Sequence, residues 1–486
     1  MENLKEKEKK KSFSISLNLD KIDPENVITI EGIKIYFPYK AYQVQIDYMT
    51  KVIQTLNKGN NISALESPTG TGKTLCLLCS VLGWLQQKKD KNENINIQNV
   101  YYCTKTVSQI SNVLNELSET CYEVKNSFLA SRKFSCNYYN ESKKSNIDPS
   151  LLNEICLKAR SKNKKKKIPD CRYYSRDGIY DYKGYDKIKD IEDLFKCSRE
   201  EVFCPYYYNI NKTKEYATLT IMSYNYILNP FIRKKLELIE NNSIIILDEA
   251  HNICSIFESL FSKKLEEKSI KELQDALQTI LNDKDYSDNE KDKIGLNEIN
   301  EEINKLKNFI KKLDKTKYMI QEKENIINKD ENELIFLCSL EEFKNQIFKN
   351  FSFQFYDKME FIINNLIEIS DGNEAKLKEY TSIKKVIKKM LNFLKMLSFL
   401  IADDDSSYRF TLTYSQKDEI IEIIFDIHCV DASYGMKNFM KINPYSVILT
   451  SGTLSINMLE KLLQVKFYKT LNNKHVVKND QFLMNI

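Results

Sequence analysis

The sequence predicts an α/β fold: a parallel sheet covered by helices on both faces, with a phosphate-binding loop at one strand end and two segments inserted into the sheet domain. Three observations carry this expectation. Ile62–Leu65, Val100–Cys103, Leu219–Met222, Ile244–Leu247 and Val447–Leu449 are short, mostly apolar runs, and each ends at a cluster of small or polar residues. Near-continuous apolar strands alternating with helices read as a parallel sheet buried on both faces. The first run enters Ser67-Pro68-Thr69-Gly70-Thr71-Gly72-Lys73-Thr74, and the fourth enters Asp248-Glu249-Ala250-His251. Between these two motifs lie Cys136, Cys156, Cys171 and Cys204. Motifs at the carboxyl ends of strands are where an open α/β sheet places its ligand-handling residues.

Composition sets the bounds. The chain has 486 residues, enough for several folded units, and 42% of them are hydrophobic, enough for a buried core. Lys and Arg number 73 against 68 Asp and Glu, so a nucleic-acid track must come from uneven placement of charge and not from its total. The charged opening Met1–Ser12 does not read as a secretory signal. No uninterrupted apolar run reaches the roughly 20 residues of a membrane helix. Twelve cysteines in a chain of this size are not a small disulfide scaffold. The expectation is a protein of a reducing compartment, with thiolates available to metal and no membrane partner.

Taken in order, residues 1–24 are expected to be a charged, poorly ordered lead-in. Residues 25–125, 205–261 and 429–486 are expected to be three parts of one α/β domain. Two segments break its rhythm. Residues 126–204 are rich in Cys, Tyr and Lys, with a basic loop at Lys162–Lys167. Residues 262–428 are dominated by Lys, Glu, Ile, Leu and Asn with helical periodicity, as in Ile303–Leu313 and Ile383–Leu397, and are expected to form a mainly helical insert.

The loop Ser67–Thr74 between a strand and a helix start turns backbone N–H groups onto phosphate oxygens. Lys73 reaches the β and γ phosphates, and the Thr74 hydroxyl is suited to Mg²⁺. Asp248 is expected to hold Mg²⁺, directly or through water, and Glu249 to orient and deprotonate the attacking water. His251 is expected to link nucleotide state to neighbouring motifs, because no second His or Cys stands at metal-ligand spacing beside it. Cys76 and Cys79, nominally a CxxC pair, lie among leucines behind the loop and read as packing residues.

The cysteines of the first insert lack the short paired spacing of structural zinc sites, and four thiolates gathered by tertiary folding suit a [4Fe–4S] cluster. Arg132, Lys133, Lys158, Arg160, Lys164–Lys167 and Arg172, interleaved with Tyr138, Tyr139, Tyr173 and Tyr174, read as a single-strand track or as a solvated basic surface.

Four stretches resemble the XPD family of superfamily 2 DNA helicases: Phe37–Gln45 with Tyr48 and Met49, Leu65–Cys79, Ile246–Asn252, and Ile448–Leu454. The resemblance implies a RecA-like first helicase domain, an iron–sulfur insert and an arch-type insert, and a nuclear protein of DNA repair or telomere maintenance that unwinds DNA 5′ to 3′ using ATP. It implies single-stranded DNA and DNA junctions as partners. It implies that Tyr42 and Gln45 contact adenine and that Cys136, Cys156, Cys171 and Cys204 hold the cluster. Thr106, Ser108 and Gln109 become candidate DNA contacts, with Val107 standing where the family usually has histidine. Ser451, Gly452 and Thr453 become candidates for coupling hydrolysis to DNA movement. Only Ser455–Ile486 follow, with no Gln-x-x-Gly-Arg-x-x-Arg motif. The second RecA-like domain is therefore expected to come from elsewhere or from a partner chain, and this chain alone is expected to bind DNA without unwinding it. The other reading is a non-motor module that binds ATP and single-stranded DNA.

Overall fold

The computed structural model describes residues 14–93, 97–141, 171–174, 191–238, 241–282, 326–330, 333–338, 385–393, 408–417 and 420–473, with isolated residues between them that include Cys156. The chain divides into two compact units. The first comprises Met1–Ile147, Arg172–Cys254 and Met436–Ile486, and the second Asp148–Cys171 and Ser255–Gly435.

In the first unit, β1 (Ile15–Leu17) pairs antiparallel with a later edge strand, and β2 (Val27–Ile30) and β3 (Ile33–Tyr36) form a hairpin. The hairpin turns at Glu31 and Gly32, both at positive φ, as a two-residue turn between right-twisted strands requires. Helix α1 (Gln43–Lys58) follows, opened by a capping box between Tyr42 and Gln45. Next come β4 (Asn61–Glu66), α2 (Lys73–Asp90), β5 (Val100–Thr104), α3 (Val107–Glu119), β6 (Tyr122–Val124), the partner of β1, and β7 (Asn126–Leu129). Two short helices (Arg132–Ser135 and Asn137–Glu141) precede the helices Ile191–Glu200 and Pro205–Glu215. The sheet then resumes with β8 (Leu219–Ser223) and β9 (Ile244–Asp248).

The second unit contributes β10 (Lys263–Glu266), β11 (Ile326–Asp330), β12 (Glu333–Cys338), β13 (Tyr408–Lys417) and β14 (Ile420–Cys429). The first unit closes with β15 (Ser446–Ser451), the helix Ile456–Leu463 and β16 (Thr470–Asn472).

The first unit is built on a seven-stranded sheet of order β16-β4-β15-β9-β5-β8-β7, with every neighbouring pair parallel. All five predicted strands lie in it, and β5, β9 and β15 are buried along their whole length. This is the predicted α/β architecture. Helix α2 is apolar around its circumference from Leu75 to Leu85 and is buried accordingly. It packs against α1 and β3. Gly83 permits that approach: a Cβ there would stand 2.7 Å from the Tyr122 hydroxyl and 3.1 Å from the Lys34 carbonyl. Cys76 and Cys79 are buried in this helix, and burial pushes the Cys76 thiol up to about 12, which fits packing residues.

The described part of the second unit contains a sheet that the helical expectation did not include. Helix Glu267–Asn282 is present, but β10-β14-β13-β12-β11 form a five-stranded antiparallel sheet. The period-two pattern of Tyr408, Phe410, Leu412 and Tyr414 against Arg409, Thr411, Thr413 and Ser415 carries β13, while the Lys- and Ile-rich helical signal around it masked that strand. Residues 385–393, inside the predicted helix Ile383–Leu397, are helical, whereas most of Ile303–Leu313 lies outside the described residues. No helix among the described residues is long and apolar enough to cross a membrane.

Candidate nucleotide site

The phosphate loop leaves β4 and enters α2 at the sheet's carboxyl edge. Its turn depends on Gly70 and Gly72, at φ +80° and +73°, where an L side chain is strained. A Cβ on Gly72 would also stand 2.9 Å from Gln45 Nε2. Within the loop, the Ser67 and Thr71 hydroxyls are 2.8 Å apart, and Thr71 Oγ1 donates to the Pro68 carbonyl at 2.7 Å. Lys73 Nζ reaches the Pro68 carbonyl at 3.4 Å. Thr69 and Gly70 are exposed.

Gln45 sits beneath this loop. Its Oε1 accepts from the Tyr42 N–H at 2.9 Å, and its Nε2 donates to the Thr71 carbonyl at 3.1 Å. The amide is thus engaged at both ends by the chain itself, and its visible work is to tie α1 to the phosphate loop. Tyr42 is 63% exposed, as an adenine-stacking ring needs to be.

Asp248 ends β9. Its Oδ1 accepts from the Glu249 N–H at 2.9 Å and its Oδ2 from the Tyr102 hydroxyl at 2.9 Å. Burial lifts the Asp248 carboxyl above its ordinary value, while the Tyr102 hydroxyl, the Lys73 cation and the Glu249 N–H pull the other way. Glu249 follows at φ +58°, a left-handed conformation for a non-glycine residue that swings it out of the strand line. Ser451 Oγ, at the end of β15, donates to Glu249 Oε2 at 3.0 Å. His251 Nδ1 lies 2.9 Å from Ser451 Oγ and 3.2 Å from Glu249 Oε2. The parallel register sets β15 between β4 and β9, so Ser451 meets both motifs: the Ser67 N–H donates to the Ser451 carbonyl at 3.1 Å. The position of a Gly452 Cβ is 3.7 Å from Lys73 Nζ. Thr453 N–H approaches Ser451 Oγ at 3.4 Å.

The structure therefore brings Ser67–Thr74, Gln45, Asp248, Glu249, His251 and Ser451–Thr453 into one constellation. A lysine cation, a loop of N–H groups, a threonine hydroxyl and a carboxylate form a hard, oxygen-bearing set that fits a nucleotide phosphate with Mg²⁺. Thr106, Ser108 and Gln109 lie elsewhere, at the start of α3. Gln109 Oε1 accepts from the Lys105 and Thr106 N–H groups at 3.0 and 2.9 Å, and Thr106 Oγ1 is 3.0 Å from Ser108 Oγ, so the three cap the helix.

Three side chains make contacts that escaped the sequence reading. Tyr102 reaches Asp248, the Tyr48 hydroxyl meets Thr450 Oγ1 at 2.6 Å, and Asn473 Nδ2 donates to the Val44 carbonyl at 3.0 Å and toward Ser67 Oγ at 3.3 Å. The available signal was a tyrosine inside a fully apolar strand, since a buried phenol needs a hydrogen-bond partner.

Cys136 and Cys204 belong to the first unit, and Cys156 and Cys171 to the second. Cys136 joins the helices Arg132–Ser135 and Asn137–Glu141, and Cys204 is the N-cap of Pro205–Glu215. None of the four is in a disulfide. Among the described residues no three His, Cys, Asp or Glu side chains are grouped as around one metal ion, so the ligand set rests on sequence context. Nearby, the Arg132 guanidinium lies 4.0 Å from the Tyr206 ring centroid and donates to the Tyr207 hydroxyl at 2.8 Å. Arg172 donates to Glu141 at 2.9 Å and lies over Tyr173 at 4.8 Å. Lys133 is exposed, and Tyr138 and Tyr139 are less so; Lys158, Arg160 and Lys162–Lys167 lie outside the described residues.

Comparison with known proteins agrees with this geometry. Residues 102–270 match the DEAD_2 family. A Regulator of telomere elongation helicase 1 homolog from Caenorhabditis briggsae is 34% identical over 302 residues, covering 54% of this chain and 29% of the relative. The homolog from Drosophila ananassae is 33% identical over 282 residues, covering 51% and 28%. This chain thus spans less than a third of the length of the curated relatives it matches. A solved structure described as "XPD_Helicase" aligns with 89% of the chain and 62% of its own at a TM-score of 0.48 and 19% identity. Around the Asp248 motif the chain is thus similar to the DEAD_2 family, and over about half its length it is similar to the regulator of telomere elongation helicase homologs.

Proposed function

We propose that this chain is the ATP-binding motor portion of a DNA helicase acting in the nucleus in genome or telomere maintenance. The observation that carries the reading is the junction of Glu249, Ser451 and His251 beside a phosphate loop whose first residue bonds the Ser451 backbone. Lys73 and the loop N–H groups hold the phosphates. Thr74 and Asp248 would hold Mg²⁺, which would neutralise phosphate charge. Glu249 orients the attacking water and takes its proton, and Ser451 keeps that carboxylate in place. Because Ser451 touches both Glu249 and the loop, it is also placed to pass a change at the nucleotide to the rest of β15. A second RecA-like domain, in cis or as a partner chain, completes the ATP site, and single-stranded DNA and DNA junctions are the substrates.

Nucleotide binding tests the core of this reading. Lys73→Ala removes a charged contact to phosphate worth about 1.5–3 kcal/mol, so ATP affinity measured with a fluorescent analogue is expected to fall about 10–100-fold. Equal affinity in both proteins would refute the site.

The reading includes a [4Fe–4S] cluster held by Cys136, Cys156, Cys171 and Cys204, supported by their sequence contexts and the family resemblance. Anaerobically purified protein is expected to contain about four irons per chain. Cys171→Ser is expected to lose them, whereas Cys79→Ser, altering a buried packing thiol, is expected to keep them. Stoichiometric zinc without iron counts against the cluster.

A further inference from the structure

We propose that Tyr102 is the positioning residue of the metal site, a buried phenol that fixes the Asp248 carboxylate before any cation arrives. This inference rests on the nucleotide-site reading above and assigns a role to a residue outside every motif that supports it.

The geometry follows from sheet register. On the parallel pair β5 and β9, Tyr102 stands opposite Ile246. Asp248 lies two residues further along β9, on the same face by the period-two rule, about 6.6 Å away along the strand. A phenol ring pointing along the strand direction bridges that rise, and the 2.9 Å bond from its hydroxyl to Asp248 Oδ2 closes the gap. Tyr102 has no exposed surface, so this bond does not compete with bulk water.

With Oδ1 held by the Glu249 N–H and Oδ2 by Tyr102, the carboxylate cannot rotate freely. Each carboxylate oxygen has about two acceptor sites, so one on each is left for a metal ion or its water shell. A further buried tyrosine, Tyr48 on α1, spends its hydroxyl on Thr450. Phenylalanine at position 102 would fill the same space and pack equally well, yet it would release Asp248 Oδ2. Groups that orient metal ligands typically contribute 10–100-fold in metal affinity.

The experiment uses the whole chain with ADP and Mn²⁺, the cation read by electron paramagnetic resonance. Tyr102→Phe is expected to weaken Mn²⁺ binding to the ADP complex about 10–100-fold while ADP affinity in EDTA stays within about twofold of wild type. Tyr122→Phe, which removes a buried hydroxyl bonded to the Tyr36 N–H, is the packing control and is expected to leave Mn²⁺ affinity unchanged. If Tyr102→Phe does not fold, 3-fluorotyrosine at position 102 serves instead: its fluorine resonance is expected to shift when Mg²⁺ is added to the ADP complex. Wild-type Mn²⁺ affinity in folded Tyr102→Phe, or a fluorine resonance indifferent to Mg²⁺, overturns the inference while leaving the nucleotide site standing. Failure of the wild-type chain to bind Mn²⁺ with ADP overturns both.

Discussion

Glu249→Gln is expected to keep ATP bound and to reduce its hydrolysis by about 10²–10⁴-fold, the range contributed by a positioned general base. The amide has the shape of the carboxylate and still offers an oxygen to Ser451 Oγ, so the 3.0 Å contact survives. It cannot take a proton from water. The left-handed backbone at Glu249 is unaffected, since glutamine meets the same steric conditions as glutamate. The measurement pairs phosphate release, with a second RecA-like domain supplied, with equilibrium binding of a fluorescent ATP analogue. Turnover at the wild-type rate in Glu249→Gln would remove Glu249 from the chemistry and leave its contacts with Ser451 and His251 as purely structural.

Trp84→Ala is expected to have the largest effect on stability, about 3–5 kcal/mol, because it empties a large volume in a packed core. Trp84 is the only tryptophan of the chain and is 1% exposed, in the middle of α2. Its Nε1 donates to Asn57 Oδ1 on α1 at 2.8 Å, and its ring lies 5.8 Å from that of Tyr445. The substitution would leave a void and an amide oxygen without its donor. By contrast, Met458→Ala, on the solvent side of helix Ile456–Leu463 at 58% exposure, is expected to cost within about 0.5 kcal/mol. Denaturant titration followed by circular dichroism distinguishes the two, since the variant lacks the indole fluorophore. A cost for Trp84→Ala near that of Met458→Ala would mean that α2 is not packed as described.

Much of the site was legible because its chemistry is local in sequence. A phosphate loop needs consecutive N–H groups, so Ser67–Thr74 must be contiguous, and its glycines announce the turn. Asp248 and Glu249, the carboxylates proposed for metal and water, are adjacent in sequence, with Glu249 in a left-handed conformation just past the strand end. What was not legible involved partners far apart in the chain. Tyr102 and Asp248, Tyr48 and Thr450, and Asn473 and Ser67 become neighbours only through strand order. Gln45 was legible as part of the site, but the engagement of both its amide ends by Tyr42 and Thr71 appeared only in three dimensions. The helix-capping bonds of Thr106, Ser108 and Gln109 appeared only in three dimensions, because a helix start's leading N–H groups lack partners within the helix. In the second unit, lysine and isoleucine enrichment imitated helix, and the antiparallel pairing of β13 and β14 was decided by partners that periodicity alone does not name.

The sequence by itself determined the parallel-sheet class, the strand ends that carry function, and the residue types able to hold phosphate and magnesium. Those follow from hydrophobic runs and contiguous motifs, which depend on local geometry. The tertiary structure decided which distant residues complete the site. Placing β15 between β4 and β9 is what lets Ser451 touch the phosphate loop and Glu249 together, and placing β5 beside β9 is what gives Asp248 its phenol. Strand order is a property of the whole packed sheet, because it is fixed by which faces and edges can be buried at once, and no single stretch of chain encodes it.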